Sequence, residues 1–172
     1  MDLLIVRHAI AEDREAFAES GKDDGKRPLT PAGRRKFKLA ARGLRSLVPA
    51  IDLLATSSLV RAVETGDILQ KLYRLDSAVR LDELSPDASP ASLVSWLRRQ
   101  QRARVQLATV VGHEPHLSRL VGHLLTGGDS GFIDLKKGGA CLLDLRDGAK
   151  AGGAELRWLL TAAQLRRLGR SA

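Results

Sequence analysis

One cysteine, Cys141, is all that the 172 residues contain, which excludes a disulfide within the chain and a cysteine-built zinc site. It falls in the apolar run Ala140 to Leu145, where a small buried hydrophobe in a strand is the expected role. Aromatic residues are also scarce: three Phe, two Trp and one Tyr. Only Phe37 falls within a basic run, on the apolar stripe of a helical pattern, so the stacking platform of a single-strand nucleic-acid binder is missing, and nucleic acid is not the expected partner. No stretch of about 18 apolar residues is present to span a bilayer. Nor does a positively charged leader precede an apolar segment, so the expected location is the cytoplasm. A chain of this length can bury a core without disulfides or a metal, and one domain over residues 1–172 is expected.

What the chain has in excess is positive charge. Twenty-eight basic against 20 acidic residues give +8, which favours acidic ligands such as phosphoproteins, phosphorylated metabolites or nucleic acid. Much of it lies in Arg34 to Arg45, Arg98 to Arg104 and the tail Arg166, Arg167 and Arg170, where solvated helix faces are the simplest reading. Strand patterns cover Leu3 to Val6, Leu53 to Thr56, Val105 to Val111, Ala140 to Leu145 and Leu156 to Thr161, with a weaker one at Val79 to Leu81. Helical patterns fall between most of them. The clearest starts at Thr30, a capping residue followed by Pro31 at the first helical position. Others are expected at Leu59 to Tyr73, Pro90 to Arg102, Pro115 to Leu125 and Ala162 to Leu168. Strands alternating with helices predict an α/β domain of three layers, α/β/α, with a mostly parallel central sheet. The polar segment Ile10 to Arg27, lacking a period, reads as a mobile loop beside the end of the first strand. Thr126 to Gly131 and Asp147 to Gly153 read as further flexible stretches.

Three strand ends carry phosphate-type side chains. Arg7 and His8 follow the apolar run Leu3 to Val6, at the carboxyl end of a buried strand, where open α/β sheets bind ligands. After the second strand, Thr56-Ser57-Ser58-Leu59-Val60-Arg61 reads as strand end, capping serine and first helical turn. Helical side chains lean toward the N-terminus, so Arg61 would point back over the strand ends, and the helix start itself favours an anion. After Val110-Val111, Gly112 and His113 repeat the pattern, with Pro115 opening a helix. Arg7, Arg61, His8 and His113 together would make a pocket for a phosphoryl dianion, the guanidinium forks matching its oxygens. His8 must be neutral to attack phosphorus, and Arg7 and Arg61 should depress its pKa. Metal binding is not expected. His116 and His123 stand seven residues apart on one helix, without the four-residue spacing of a helical zinc pair.

The Arg7-His8 pair, then Pro28-Leu29-Thr30 with Gly33, then Ser57 through Arg61-Ala62 to Thr65, then Gly112-His113, in this order, resembles the histidine phosphatase superfamily with its phosphoglycerate mutase-like fold. The short length, the absence of a large inserted cap, and Arg27-Pro28-Leu29-Thr30 with Glu83-Leu84-Ser85-Pro86 make the chain most similar to SixA-type phosphohistidine phosphatases. The resemblance implies that His8 is transiently phosphorylated, that Arg7, Arg61 and His113 hold the phosphoryl oxygens, and that water releases inorganic phosphate without a metal or organic cofactor. It implies as substrate phosphohistidine on a signalling phosphotransfer protein. Glu83 is the candidate acid or water-orienting base, with Asp87 in reserve. Arg27 and Ser57 are candidate phosphate contacts, and the segment of Lys136, Lys137 and Gly138 is expected close by. Ala9 departs from the glycine that most members carry after Arg-His. Two alternatives stand: a small-molecule phosphomonoesterase of the same superfamily, and a non-catalytic phosphate- or nucleic-acid-binding module. No apolar seam is evident, so a monomer is expected.

Overall fold

Leu3, Leu4, Ile5 and Val6 are all fully buried, which only a strand covered on both faces allows. They lie in β1 (Asp2–Arg7), and burying each side chain is worth about 1.5–3 kcal/mol. The computed structural model describes residues 1–128 and 130–171. Six strands form one sheet in the order β3-β2-β4-β1-β5-β6: β2 (Leu53–Thr56), β3 (Val79–Arg80), β4 (Leu107–Gly112), β5 (Ala140–Asp144) and β6 (Glu155–Leu160) join β1. β1 pairs in parallel with β4, and β2 with both β4 and β3. β5 is antiparallel to β1 and β6 to β5. The expected mostly parallel α/β architecture is thus what forms.

Alternation along β1 divides the core in two. Leu3 and Ile5 face one cluster, with Leu93, Leu97, Leu117 and Leu120, from α4 (Pro90–Arg102) and α5 (His116–Thr126). Leu4 and Val6 face the other, with Phe37, Leu44, Leu69 and Leu165, from α2 (Pro31–Leu47), α3 (Val60–Tyr73) and α6 (Ala162–Ser171). Cys141 is completely buried in β5, as expected, and its surroundings push the thiol up to about 12. α2 and α6 approach through glycine. A Cβ on Gly43 would run into the Leu165 carbonyl oxygen, and one on Gly169 into that of Leu39. Among the described residues no helix is long and apolar enough to cross a membrane.

Three expectations are corrected. No serine caps α3: its N-cap is Leu59, without a side-chain cap, and Ser57 Oγ instead accepts from the Leu59 N–H at 3.3 Å. The segment Ile10 to Arg27 is structured. It holds α1 (Arg14–Ala18), capped by Asp13, and a 3-10 turn over Asp24–Lys26, and Arg27 ties its end to its beginning by donating to the Glu12 carbonyl at 2.7 Å. Asp147 to Gly153 is likewise pinned, because Arg98 Nε donates to the Ala149 carbonyl and Ala149 N–H to Gln101 Oε1, at 2.8 and 2.9 Å. Of the stretch Thr126 to Gly131, Asp129 lies outside the described residues.

Candidate active site

Parallel pairing puts the carboxyl ends of β1, β4 and β2 side by side, since Arg7 is in register with Gly112 and Thr56 with Val111. The residues just beyond those ends therefore converge, although more than 50 positions separate His8 from Arg61 and Arg61 from His113. His8, Arg7, Arg61 and His113 line a single cavity of about 970 Å³. The His8 and His113 ring centroids lie 5.0 Å apart, tilted by 48°.

Backbone contacts lock the nucleophile candidate in place. His8 N–H donates to the Gly112 carbonyl at 3.0 Å. The next residue, Ala9, donates its N–H to Thr65 Oγ1 at 3.0 Å, and that hydroxyl donates to the Arg61 carbonyl at 2.7 Å. Thr65 thus bolts the first turns of α3 to the chain beyond β1. His8 Nδ1 stands 2.7 Å from the Ala9 carbonyl oxygen. A carbonyl only accepts, so Nδ1 carries the proton and Nε2 keeps its lone pair. Gly138 has φ +71°, a conformation that favours glycine, and its N–H donates to the carbonyls of both Arg7 and His8. The segment of Lys136 to Gly138 accordingly does lie at the site. Lys137 lines the cavity, whereas Lys136 pairs with Asp134.

The lining carries five cationic side chains, Arg7, Arg61 and Lys137 among them, and five carboxylates, and several of its polar atoms lack partners. Arg7 donates through one terminal nitrogen to the Leu135 carbonyl at 2.8 Å. Arg7 Nε, Arg61 Nε and both ring nitrogens of His113 are buried without a hydrogen-bond partner among the described residues. The two guanidinium groups of Arg7 and Arg61 and the single N–H of a neutral His113 in one lining suit an oxyanion ligand. His8 is held down at a pKa of about 3, first by burial and then by Arg61, Arg7 and Lys137, against the Ala9 carbonyl, which raises it. Arg7 and Arg61 depress it as expected, and burial, which the sequence does not show, is the larger cause. His113 is lowered to about 2, again mainly by burial, then by His8 and Arg61. Both imidazoles are neutral at ordinary pH.

The other candidates separate. Arg27 lines the cavity and is held by Asp24, its Nε 2.8 Å from Oδ1. Ser57 is wholly buried and absent from the lining; its Oγ accepts from the Leu59 N–H and its own N–H donates to the Val111 carbonyl. It shapes the turn into α3 and does not face the ligand cavity. Glu83 is also outside the lining. It sits in a 3-10 turn over Asp82–Leu84 with its carboxylate 3.9 Å from Arg99 of α4. Asp87 does line the cavity, as does Glu114, whose Oε1 is buried and unpartnered. Sequence reasoning missed Glu114, although it follows His113 directly. It also missed Asp24, which bridges to Arg61 both through its carboxylate (3.2 Å) and through its carbonyl oxygen (2.9 Å). No periodicity marks Asp24, and only the folded loop brings it there. His116 is buried in α5 outside the cavity lining. Among the described residues no three His, Cys, Asp or Glu side chains cluster as metal ligands.

Comparison with known proteins identifies relatives of the same fold. An uncharacterised protein of Picosynechococcus sp. is 34% identical over 149 residues, covering 87% of each chain. The structure of the protein histidine phosphatase SixA complexed with tungstate superposes with a TM-score of 0.82 at 24% identity, covering 96% of this chain and 99% of that one. The alpha-ribazole phosphatase from Shigella flexneri has the same fold (TM-score 0.70, 17% identity, 94% and 97% covered). Residues 3–88 match the histidine phosphatase superfamily (branch 1), and the chain belongs to that family.

Proposed function

We propose that the protein hydrolyses phosphohistidine on a phosphotransfer protein through a phosphorylated intermediate at His8. The observation that carries this reading is the tautomer of His8. With Nδ1–H engaged by the Ala9 carbonyl, the unprotonated Nε2 is the nucleophile, in a cavity it shares with two arginines. Phosphoryl transfer needs little beyond positioning and charge stabilisation. Arg7 and Arg61 offer the phosphoryl oxygens their guanidinium donors, and neutral His113 offers one ring N–H. Nε2 of His8 attacks phosphorus as the P–N bond of the substrate breaks, and the departing imidazole takes up a proton. Water then attacks phosphorus, the bond to His8 breaks, and inorganic phosphate leaves. Protonated imidazole departs readily, so a strong dedicated acid is less necessary than for an alcohol ester. Of the carboxylates, Asp87 in the lining is the candidate to orient the water, whereas Glu83 faces Arg99 and Glu114 accepts from the Ser118 N–H. No step in this scheme calls on a metal.

A protein substrate is supported by the likeness to a structure described as a protein histidine phosphatase. The second reading, a small-molecule phosphomonoesterase, draws on the likeness to alpha-ribazole phosphatase. The experiment compares phosphate release from a phosphohistidine protein and from a panel of phosphorylated metabolites, with wild type beside His8→Ala, and quenches turnover in alkali to trap phosphohistidine on the enzyme. Release from the protein substrate, with an alkali-stable label that His8→Ala abolishes, is expected. A preference for metabolites keeps the mechanism and discards the substrate; undiminished turnover by His8→Ala removes the nucleophile.

A further inference from the structure

Between α2 and α3, on the face of the sheet they share, runs a groove of about 540 Å³ that the chemistry above does not use. Its α2 wall carries Arg34, Lys38, Arg42 and Arg45, a row spaced along one helical face, and its α3 wall carries Lys71 and Arg74. Only two carboxylates, Glu64 and Asp67, line it, and Glu64 is already paired with Arg34. Lys38, Arg42, Arg45, Lys71 and Arg74 make no salt bridge among the described residues. The floor is apolar: Ala41 with the half-buried Ile68 and Leu72. A second depression of about 380 Å³, lined by Arg42, Arg45, Ser46 and Leu72, extends it.

We infer that this groove docks an acidic, amphipathic helical segment of the phosphoprotein substrate, its apolar side chains on Ile68 and Leu72 and its carboxylates between the two basic walls. The inference rests on the reading of a protein substrate. Charge complementarity selects the partner's sign, and an apolar strip between charged rows matches a helix laid in a groove. A nucleic-acid backbone would leave that strip uncovered, with no aromatic ring in the lining on which bases could stack. The groove also leads to the catalytic end of the fold. Arg61 stands in the first turn of α3, and Glu64, at the mouth of the groove, accepts the Leu29 N–H at 2.7 Å. At 1.5 Å per residue, Lys71 lies about 15 Å from Arg61 along the helix, a span that one small helical domain covers while its phosphohistidine occupies the cavity.

The test replaces Lys38→Glu, Arg42→Glu and Lys71→Glu together, all exposed positions outside the catalytic cavity, with a matching triple Gln variant as a milder control and thermal unfolding to check folding. Binding of a fluorescently labelled, unphosphorylated phosphotransfer domain of net negative charge is read by anisotropy at low and high salt. The reversed variant is expected to weaken binding about tenfold or more, the Gln variant less, and salt to weaken the wild type. With the phosphorylated domain as substrate, KM should rise while turnover of free phosphohistidine stays unchanged. Equal binding by all three proteins, no binding by wild type, or a loss confined to single-stranded RNA would overturn the docking proposal. Should wild type release no phosphate from any phosphohistidine, the functional reading fails, and the anisotropy still decides the groove.

Discussion

At His8 the usual histidine logic is inverted. An imidazole ordinarily titrates near 6.5, yet burial of the ring and the surrounding cations hold it near 3, so Nε2, the nitrogen proposed to attack, is unprotonated throughout the neutral range. His113 and His116 are lowered as well, chiefly by burial. Each folded histidine refuses a proton that the unfolded chain accepts below about 6.5, so unfolding takes up protons as pH falls. Stability should therefore be independent of these groups above that value and decline steadily from pH 6.5 toward 3. Urea midpoints at a series of pH values check this; a flat midpoint across that window would show that the rings protonate equally well in the fold. The same burial separates function from stability at His8. Its Ala variant should lose turnover with little change in thermal midpoint, because the side chain closes a cavity wall and is not packed among the core leucines.

On the scale of elements, the segment from Glu12 to Arg27 and the α2–α6 contact invite opposite experiments. The 3-10 turn presents Asp24 to Arg61 and Arg27, so a carboxylate already holds the guanidinium that a phosphoryl group would claim. Asp24→Asn weakens that competitor, and inorganic phosphate should inhibit the variant at several-fold lower concentration than wild type. Weaker inhibition would mean instead that Asp24 positions Arg61 for its ligand. In α2, Ala is a better helix former than Gly by about 1 kcal/mol, but Gly43 faces the Leu165 carbonyl with no room for a methyl group. Overpacking of that kind costs about 1–3 kcal/mol, so the steric cost should win. Gly43→Ala is expected to lower stability in urea by about that amount, and a stabilised variant would show that α6 can shift without penalty.

For the whole molecule, the two sheet edges govern association. One is β3, only two residues long, and the other is β6, which exposes Glu155 and Arg157. A short edge and a charged edge both resist strand-to-strand pairing. Of the large exposed apolar side chains, Ile10, Leu47, Phe132 and Leu168 come from separate elements and connections, Val79 lies on the short β3, and Leu156 and Leu159 stand among the charged residues of β6. Sedimentation equilibrium should therefore report a monomer of 18.6 kDa, and a stable dimer would refute this.

Much of the molecule was legible in its residues because hydrophobic periodicity and capping are local. The run Leu3 to Val6 marked the central strand, Thr30-Pro31 marked the start of α2, where Thr30 Oγ1 accepts the Gly33 N–H, and Pro90 to Arg102 coincides with α4. Arg7, His8, Arg61 and His113 were legible because parallel strands deliver whatever follows them to one edge of the sheet. Distant pairings were not. The loop Ile10 to Arg27 showed no period, since its order comes from Arg27, Glu12, Asp24 and Arg61 meeting across the fold. Ser57 and Glu83 have the right chemistry, but side-chain direction turns the first beneath the site and the second toward Arg99, while Glu114 and Lys137 are brought into the lining. Sequence alone determined the strands, the main helices and the chemical character of the strand ends, because each is written in neighbouring residues. Tertiary structure alone decided which carboxylates reach the cavity and which basic residues border a groove, because both depend on where helices and loops pack in space.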